Sequence, residues 1–189
     1  MKFAFIVYDG VTLLDFAGVY DPITRLKTMG FVEKLDYRVC AMKPTARTIE
    51  GLQITVDQVG GRLAGYDYIF IPGGNGVSAL IADMAFMLWI KNTAPRTVMT
   101  AVCGGSLVLG AAGYLKEKRA TTHPALKQYL ARFTERSCDK RVVDEGSVIT
   151  ARGVTSGIDL GLYLCEKIAG KEVREKIQKQ MDYKAYSLD

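Results

Sequence analysis

The chain has 189 residues, 49% hydrophobic and 24% charged, with a formal net charge of +5. This composition fits one soluble domain spanning residues 1–189, large enough to bury its own core without staples. Basic residues are scattered, residues 116–119 (KEKR) forming the densest run, so no nucleic-acid partner is expected.

A membrane is not expected either, because no window reaches the ~18 consecutive apolar residues of a span. The start MKFAFIVYDG breaks at Asp9-Gly10, too early for a signal peptide.

Strand-length apolar runs alternate with helical patterns throughout. Residues 2–8 (KFAFIVY) form a continuous run, as in a strand covered on both faces. Residues 11–29 predict a helix with a break at Pro22, which lacks an N–H and crowds the preceding turn. A second strand covers 35–43, and the alternation around Glu50-Gly51 in 48–58 predicts a hairpin or edge excursion. A strand over 66–74 stops at Pro-Gly-Gly. A helix over 77–94 and a central strand over 96–102 follow.

Residues 106–115 read as a short small-residue helix. Residues 119–133 give a brief strand and then a helix whose first turn holds Pro124. Residues 141–152 form a hairpin around Glu145-Gly146. Helices cover 155–170, ending near Gly170, and 171–181. The alternation predicts an α/β layered domain with a mostly parallel central sheet flanked by helices.

The four cysteines, Cys40, Cys103, Cys138 and Cys165, have wide, irregular spacings. With no export signal, free thiols in a reducing cytoplasm are the expectation. A single histidine and no Cys/His spacing argue against a metal site. Cys40 and Cys165 fall in apolar periodic segments and Cys138 in a polar turn, which reads as structural for all three.

Ligands of open α/β sheets bind beyond the carboxyl ends of the strands. The residues there are Asp9-Gly10 and then Asp15, the run Pro72-Gly73-Gly74-Asn75-Gly76, the run Cys103-Gly104-Gly105-Ser106, His123, and Arg152 to Thr155. Cys103 stands at a sharp strand-to-helix turn among small neighbours, the arrangement of a nucleophile elbow, and a helix N-terminus there favours the thiolate. The competing reading is a buried structural thiol. The glycines of IPGGNG can point N–H groups into a cleft as an anion nest or half an oxyanion hole, or simply make a turn. Asp15, among Leu13, Leu14, Phe16 and Ala17, is either a first-turn helix acid or a partner that shares a proton with Cys103. His123 pairs with the cysteine or marks a helix start before Pro124.

Together YIFIPGGNG, AVCGGSLVLGAAGYLK, RATTHPALKQ and VITARGVTSGIDLGLYLCEKIAG resemble the ThiJ/PfpI superfamily, within the class I glutamine amidotransferase-like fold. GVTLLDFAGVYDP and VCGGSLVLGAAGYL look most like its isonitrile hydratase branch, and also like the ligand-sensing halves of AraC-type regulators. The resemblance implies a flavodoxin-like three-layer sandwich, usually a homodimer, with Cys103 as nucleophile and Asp15 as its acidic partner. It implies Gly74 and Gly104 as oxyanion-hole N–H donors, and His123 at the position of the deglycase-like relatives' histidine.

The activity implied is a cofactor-independent hydratase or hydrolase acting on a small electrophilic molecule. Glyoxalase or deglycase chemistry, or non-enzymatic sensing, are the alternatives. The hydratases of this branch carry a threonine after the cysteine, where this chain has Gly104. Only a short tail follows Gln180, so no helix-turn-helix is expected.

Overall fold

A computed structural model describes all residues, Met1–Asp189. A seven-stranded sheet runs in the order β5-β2-β1-β6-β7-β9-β8. Its strands are β1 (Lys2–Ile6), β2 (Asp36–Ala41), β5 (Gln58–Val59), β6 (Tyr68–Ile71), β7 (Val98–Val102), β8 (Val142–Asp144) and β9 (Val148–Ala151). All neighbours are parallel except the β8–β9 pair. The short strands β3 (Thr45–Arg47) and β4 (Gln53–Thr55) make the expected hairpin outside this sheet. The fold is thus the α/β, flavodoxin-like sandwich, and β1, β6 and β7 lie side by side at its centre. Their carboxyl ends therefore share one rim. Phe3, Phe5 and Phe70 are fully buried beneath it, with Phe5 edge-on to Phe70 at 6.1 Å.

One helical layer holds α1 (Leu13–Thr28), α6 (Ser156–Ala169) and α7 (Lys171–Gln180). The other holds α2 (Val77–Ala82), α3 (Met84–Lys91) and α4 (Gly105–Ala111). The expected break at Pro22 does not occur: α1 continues through it. Pro22 leaves the Gly18 carbonyl without its usual donor, at a cost of about 3 kcal/mol in an isolated helix. Tertiary packing offsets this, because the α1 face carrying Phe16, Val19, Ile23 and Leu26 is buried.

Close approach to α6 depends on glycines. A Cβ at Gly18 would lie 3.2 Å from Ile158 N, and one at Gly161 would lie 2.9 Å from Pro22 Cγ and 3.0 Å from Gly18 O. The Cys165 thiol donates to Pro22 O at 3.3 Å in the same interface.

Two other expectations need correction. The helix over 77–94 is two helices, because Asp83 leaves the helical region (φ −82°, ψ 103°) and caps α3 through Phe86 N at 3.1 Å. The strand at 119–122 is only an isolated bridge from Ala120 to Ser137. Side chains hold that segment instead, Thr150 Oγ1 accepting from Thr121 N at 3.0 Å. Beyond it come a 3₁₀ turn (Pro124–Leu126) and the one-turn helix α5 (Lys127–Leu130). The stop at Gly170 is as expected, with φ +90°. No helix is long and apolar enough to cross a membrane.

Gly161→Ala is expected to destabilise the fold by about 1–3 kcal/mol, since the added methyl overpacks the α1–α6 contact. Gly65→Ala, with open space around its Cβ position, serves as control and should change stability by under about 0.5 kcal/mol in urea unfolding.

Candidate active site

Three loops at the ends of β1, β6 and β7 build the site. Cys103 follows β7 directly and adopts φ +56°, a left-handed conformation that costs a residue with a Cβ roughly 1–2 kcal/mol. Its backbone is held from several directions. The N–H donates to Ala151 O (3.1 Å) and Arg152 O (2.9 Å), and the carbonyl accepts from Thr122 Oγ1 (2.7 Å) and Ser106 N (3.3 Å). These bonds offset the strain and fix the side chain at the rim, the elbow geometry expected from the sequence.

Asp15 lies in the first turn of α1 and is fully buried. It does not cap its own helix. Its Oδ2 turns inward and accepts from Gly73 N at 2.9 Å, while buried Oδ1 has no hydrogen-bond partner. The helix end is served by Glu50, whose two carboxylate oxygens accept from Leu13 N at 3.3 and 3.2 Å. Glu50 arrives from the β3–β4 turn, a placement that only the packing of the hairpin creates.

Gly73 is the wedge between acid and thiol. A Cβ there would fall 2.6 Å from both Asp15 Oδ2 and Gly104 N, and 2.8 Å from Cys103 Cβ. The next residue, Gly74, has φ +146°, and a Cβ on it would lie 2.1 Å from Gly10 O. Glycine is therefore required at both places, at Gly73 by contact and at Gly74 by contact and conformation together. No backbone carbonyl takes up the N–H of Gly74 or of Gly104, and the Gly104 N–H is directed at the Cys103 sulfur.

Burial and electrostatics set the protonation of the pair. Burial pushes the Asp15 carboxyl up to about 6, opposed by the Gly73 N–H bond and by the Cys103 thiol beside it. Burial, and then the Asp15 charge, push the Cys103 thiol up to about 12, and the Gly104 N–H only partly opposes this. Tyr8, buried alongside with its hydroxyl donating to Pro72 O at 2.8 Å, is raised by burial and by the same two neighbours. The thiolate expected from the helix N-terminus is thus not the resting form. Above about pH 6 the pair carries a carboxylate and a thiol, because desolvation and a like charge outweigh a short helix's dipole.

His123 reaches the same rim through Thr122 but makes no hydrogen bond with Cys103 or Asp15. Its Nδ1 accepts from Ala125 N at 3.2 Å, capping the 3₁₀ turn, and its ring packs where a Gly153 Cβ would lie 3.0 Å from Cδ2. Cys40 and Cys165 are buried with thiols raised by burial, and Cys138 is half-buried. No group of three or more His, Cys, Asp or Glu side chains is placed to hold a metal ion.

The DJ-1/PfpI family model matches residues 1–167. An isonitrile hydratase from Pseudomonas putida is 33% identical over 97% of this chain and 78% of its own length. A glutathione-independent glyoxalase DJ-1 from Schizosaccharomyces pombe is 27% identical over 61% of this chain and 62% of its own length. Among solved structures, a ThiJ/PfpI family protein from Pseudomonas syringae superposes with a TM-score of 0.84 at 29% identity, covering 96% of this chain and 74% of that one.

Asp15→Asn removes the charge that raises the Cys103 thiol, so iodoacetamide should alkylate Cys103 about fivefold or more faster at mildly alkaline pH. Mass-spectrometric labelling rates check this, and an unchanged rate would show that the two groups do not share a charge. Gly73→Ala should displace Gly104 N or the Asp15 carboxylate. It is expected to speed iodoacetamide labelling of Cys103 relative to the wild type while the chain remains folded by circular dichroism.

Proposed function

The chain belongs to the DJ-1/PfpI family, and on that premise we propose that it is a cofactor-independent, cysteine-dependent hydratase of small electrophilic carbon compounds, with isonitriles as the first substrate class. The observation that carries this reading is the buried Asp15 carboxylate, joined through Gly73 to an elbow cysteine and raised to about 6, near the pH at which a general base works best. The similarity to the Pseudomonas putida isonitrile hydratase supports the substrate class. The same reading takes the protein as a cytoplasmic homodimer with no nucleic-acid or membrane partner.

In this mechanism the Asp15 carboxylate takes the Sγ proton as Cys103 attacks the terminal carbon of R–N≡C. A thiol raised to about 12 is scarcely ionised at neutral pH, so its proton leaves as the sulfur attacks. Asp15 returns the proton to that carbon, giving the thioimidate R–N=CH–S–Cys103. Water then adds to the same carbon, its oxygen bearing negative charge in reach of the Gly74 and Gly104 N–H groups. The C–S bond breaks, the nitrogen ends protonated, the thiol is restored, and R–NH–CHO leaves. The net change is one water consumed.

His123, on the same rim, and the similarity to a glyoxalase support a second reading: conversion of 2-oxoaldehydes to 2-hydroxy acids. A non-enzymatic role through oxidation of Cys103 is less favoured, since a raised thiol holds little of the oxidisable thiolate.

Purified protein mixed with cyclohexyl isocyanide should yield the formamide, followed by infrared loss of the isonitrile band. Cys103→Ala should lose at least about 10³-fold in kcat. In the wild type, kcat/KM should rise as pH increases through about 6, because the working form of Asp15 is the carboxylate. A fall across that range, or turnover unaffected by Cys103→Ala, rejects the mechanism. Lactate from methylglyoxal with no formamide formation selects the second reading.

A further inference from the structure

A cavity of about 300 Å³ opens at the carboxyl ends of β1 and β2, and neither Cys103 nor Asp15 lines it. It exists for a topological reason. The chain leaves β2 into the β3–β4 hairpin rather than into a helix, so this corner is covered only from the side, by α2 and α3. α3 closes the far side, Trp89 Nε1 donating to Gly61 O at 2.8 Å. The inner walls are Val7, Ala41 and Phe86, all buried, with Leu80 beside them. Apolar side chains make up the larger part of the lining, and the size suits a ligand of ~10 non-hydrogen atoms.

Charge at the rim decides the kind of ligand. Lys43 Nζ is already met by Asp9 Oδ2 at 2.9 Å, and Asp9 Oδ1 accepts from Arg47 N at 3.0 Å. Asp83 also lines the cavity, uses only Oδ1 to cap α3, and enters no ion pair. Of the charged side chains that line the cavity, Asp83 alone has no ion-pair partner, and it stands beside an apolar recess.

The recess also adjoins the reactive site. Tyr8 and Gly76 line it, while Tyr8 OH holds Pro72 O and Gly76 N holds Gly10 O at 3.3 Å, so the loops that carry the glycine N–H donors form its back wall.

We propose that this cavity is a second binding site, separate from the cysteine site, for a small organic cation: an apolar body placed between Leu80 and Phe86 with an ammonium group at Asp83. The idea stands independently of the reaction proposed for Cys103.

The protein carries its own reporter. Its single tryptophan, Trp89, stacks edge-on against the cavity-lining Phe86 with ring centroids 5.9 Å apart. Cyclohexylmethylamine, cyclohexylmethanol and cyclohexanecarboxylate, which do not absorb in this range, are each titrated into the intact chain at neutral pH while Trp89 emission is followed. The amine should give a saturable change and bind about fivefold tighter than the alcohol, with the carboxylate weakest.

Asp83→Asn keeps a side-chain cap for Phe86 N and should erase the difference between amine and alcohol. Ala79→Phe adds a ring at an exposed lining position and should abolish the saturable change for every probe. Both variants should melt as the wild type does. A linear, unsaturable response, equal binding of amine and alcohol, tightest binding of the carboxylate, or wild-type binding by Ala79→Phe overturns the proposal. Cys103→Ser should bind the amine as the wild type does, so failure of the hydratase reading leaves this test intact.

Discussion

A carboxylate without a counter-ion, buried under the rim of the sheet, sets the protonation of the groups around it. Asp15 has lost its water, receives one backbone N–H from Gly73 and leaves its other oxygen without a partner. Such a group resists ionisation, and once ionised it resists any second negative charge nearby. Cys103 and Tyr8 are the groups that would supply one, and both are held neutral by burial and by this neighbour. The cluster accommodates a single negative charge, so its resting form is a carboxylate beside a thiol rather than a stored thiolate.

The surrounding backbone keeps that cluster together. Gly73 lets the acid, the elbow and the α4 N-terminus meet where no side chain would fit. Cys103 keeps its unfavourable φ because its peptide groups bond to the end of β9, to Thr122 and to the first turn of α4. The end of β9 and Thr122 come from distant parts of the chain, and β9 is at hand because it pairs with β7. On the other side of the same loops, the corner beyond β2 leaves an apolar recess walled by α2 and α3, with Asp83 unpaired at its rim.

Much of this was legible in the residues. Continuous apolar runs interrupted by Pro-Gly-Gly and Cys-Gly-Gly located the central strand ends, and with them Cys103, Gly74 and Gly104. Glu50-Gly51 and Glu145-Gly146 marked the two hairpins. Pro22 misled because helix propensity is local, whereas the α1–α6 contact that overrides it depends on Gly18 and Gly161 lying opposite one another. The division at Asp83 was carried by a capping signal hidden within an otherwise helical pattern. Glu50 as the acceptor at the α1 N-terminus had no local signal, since the hairpin brings it from a distant part of the chain.

By itself the sequence determined the layered α/β plan, the order of the elements and the presence of a cysteine at a sharp strand-to-helix turn. These follow from periodicity and from the backbone demands of glycine and proline, which act over a few residues. Only the tertiary structure decided that Asp15 faces Gly73 instead of capping its helix, that the resting sulfur is a thiol, and that His123 caps a turn. Each of these is a matter of desolvation, of charge across space or of which donor reaches an acceptor first, and none can be read until the strand ends stand side by side.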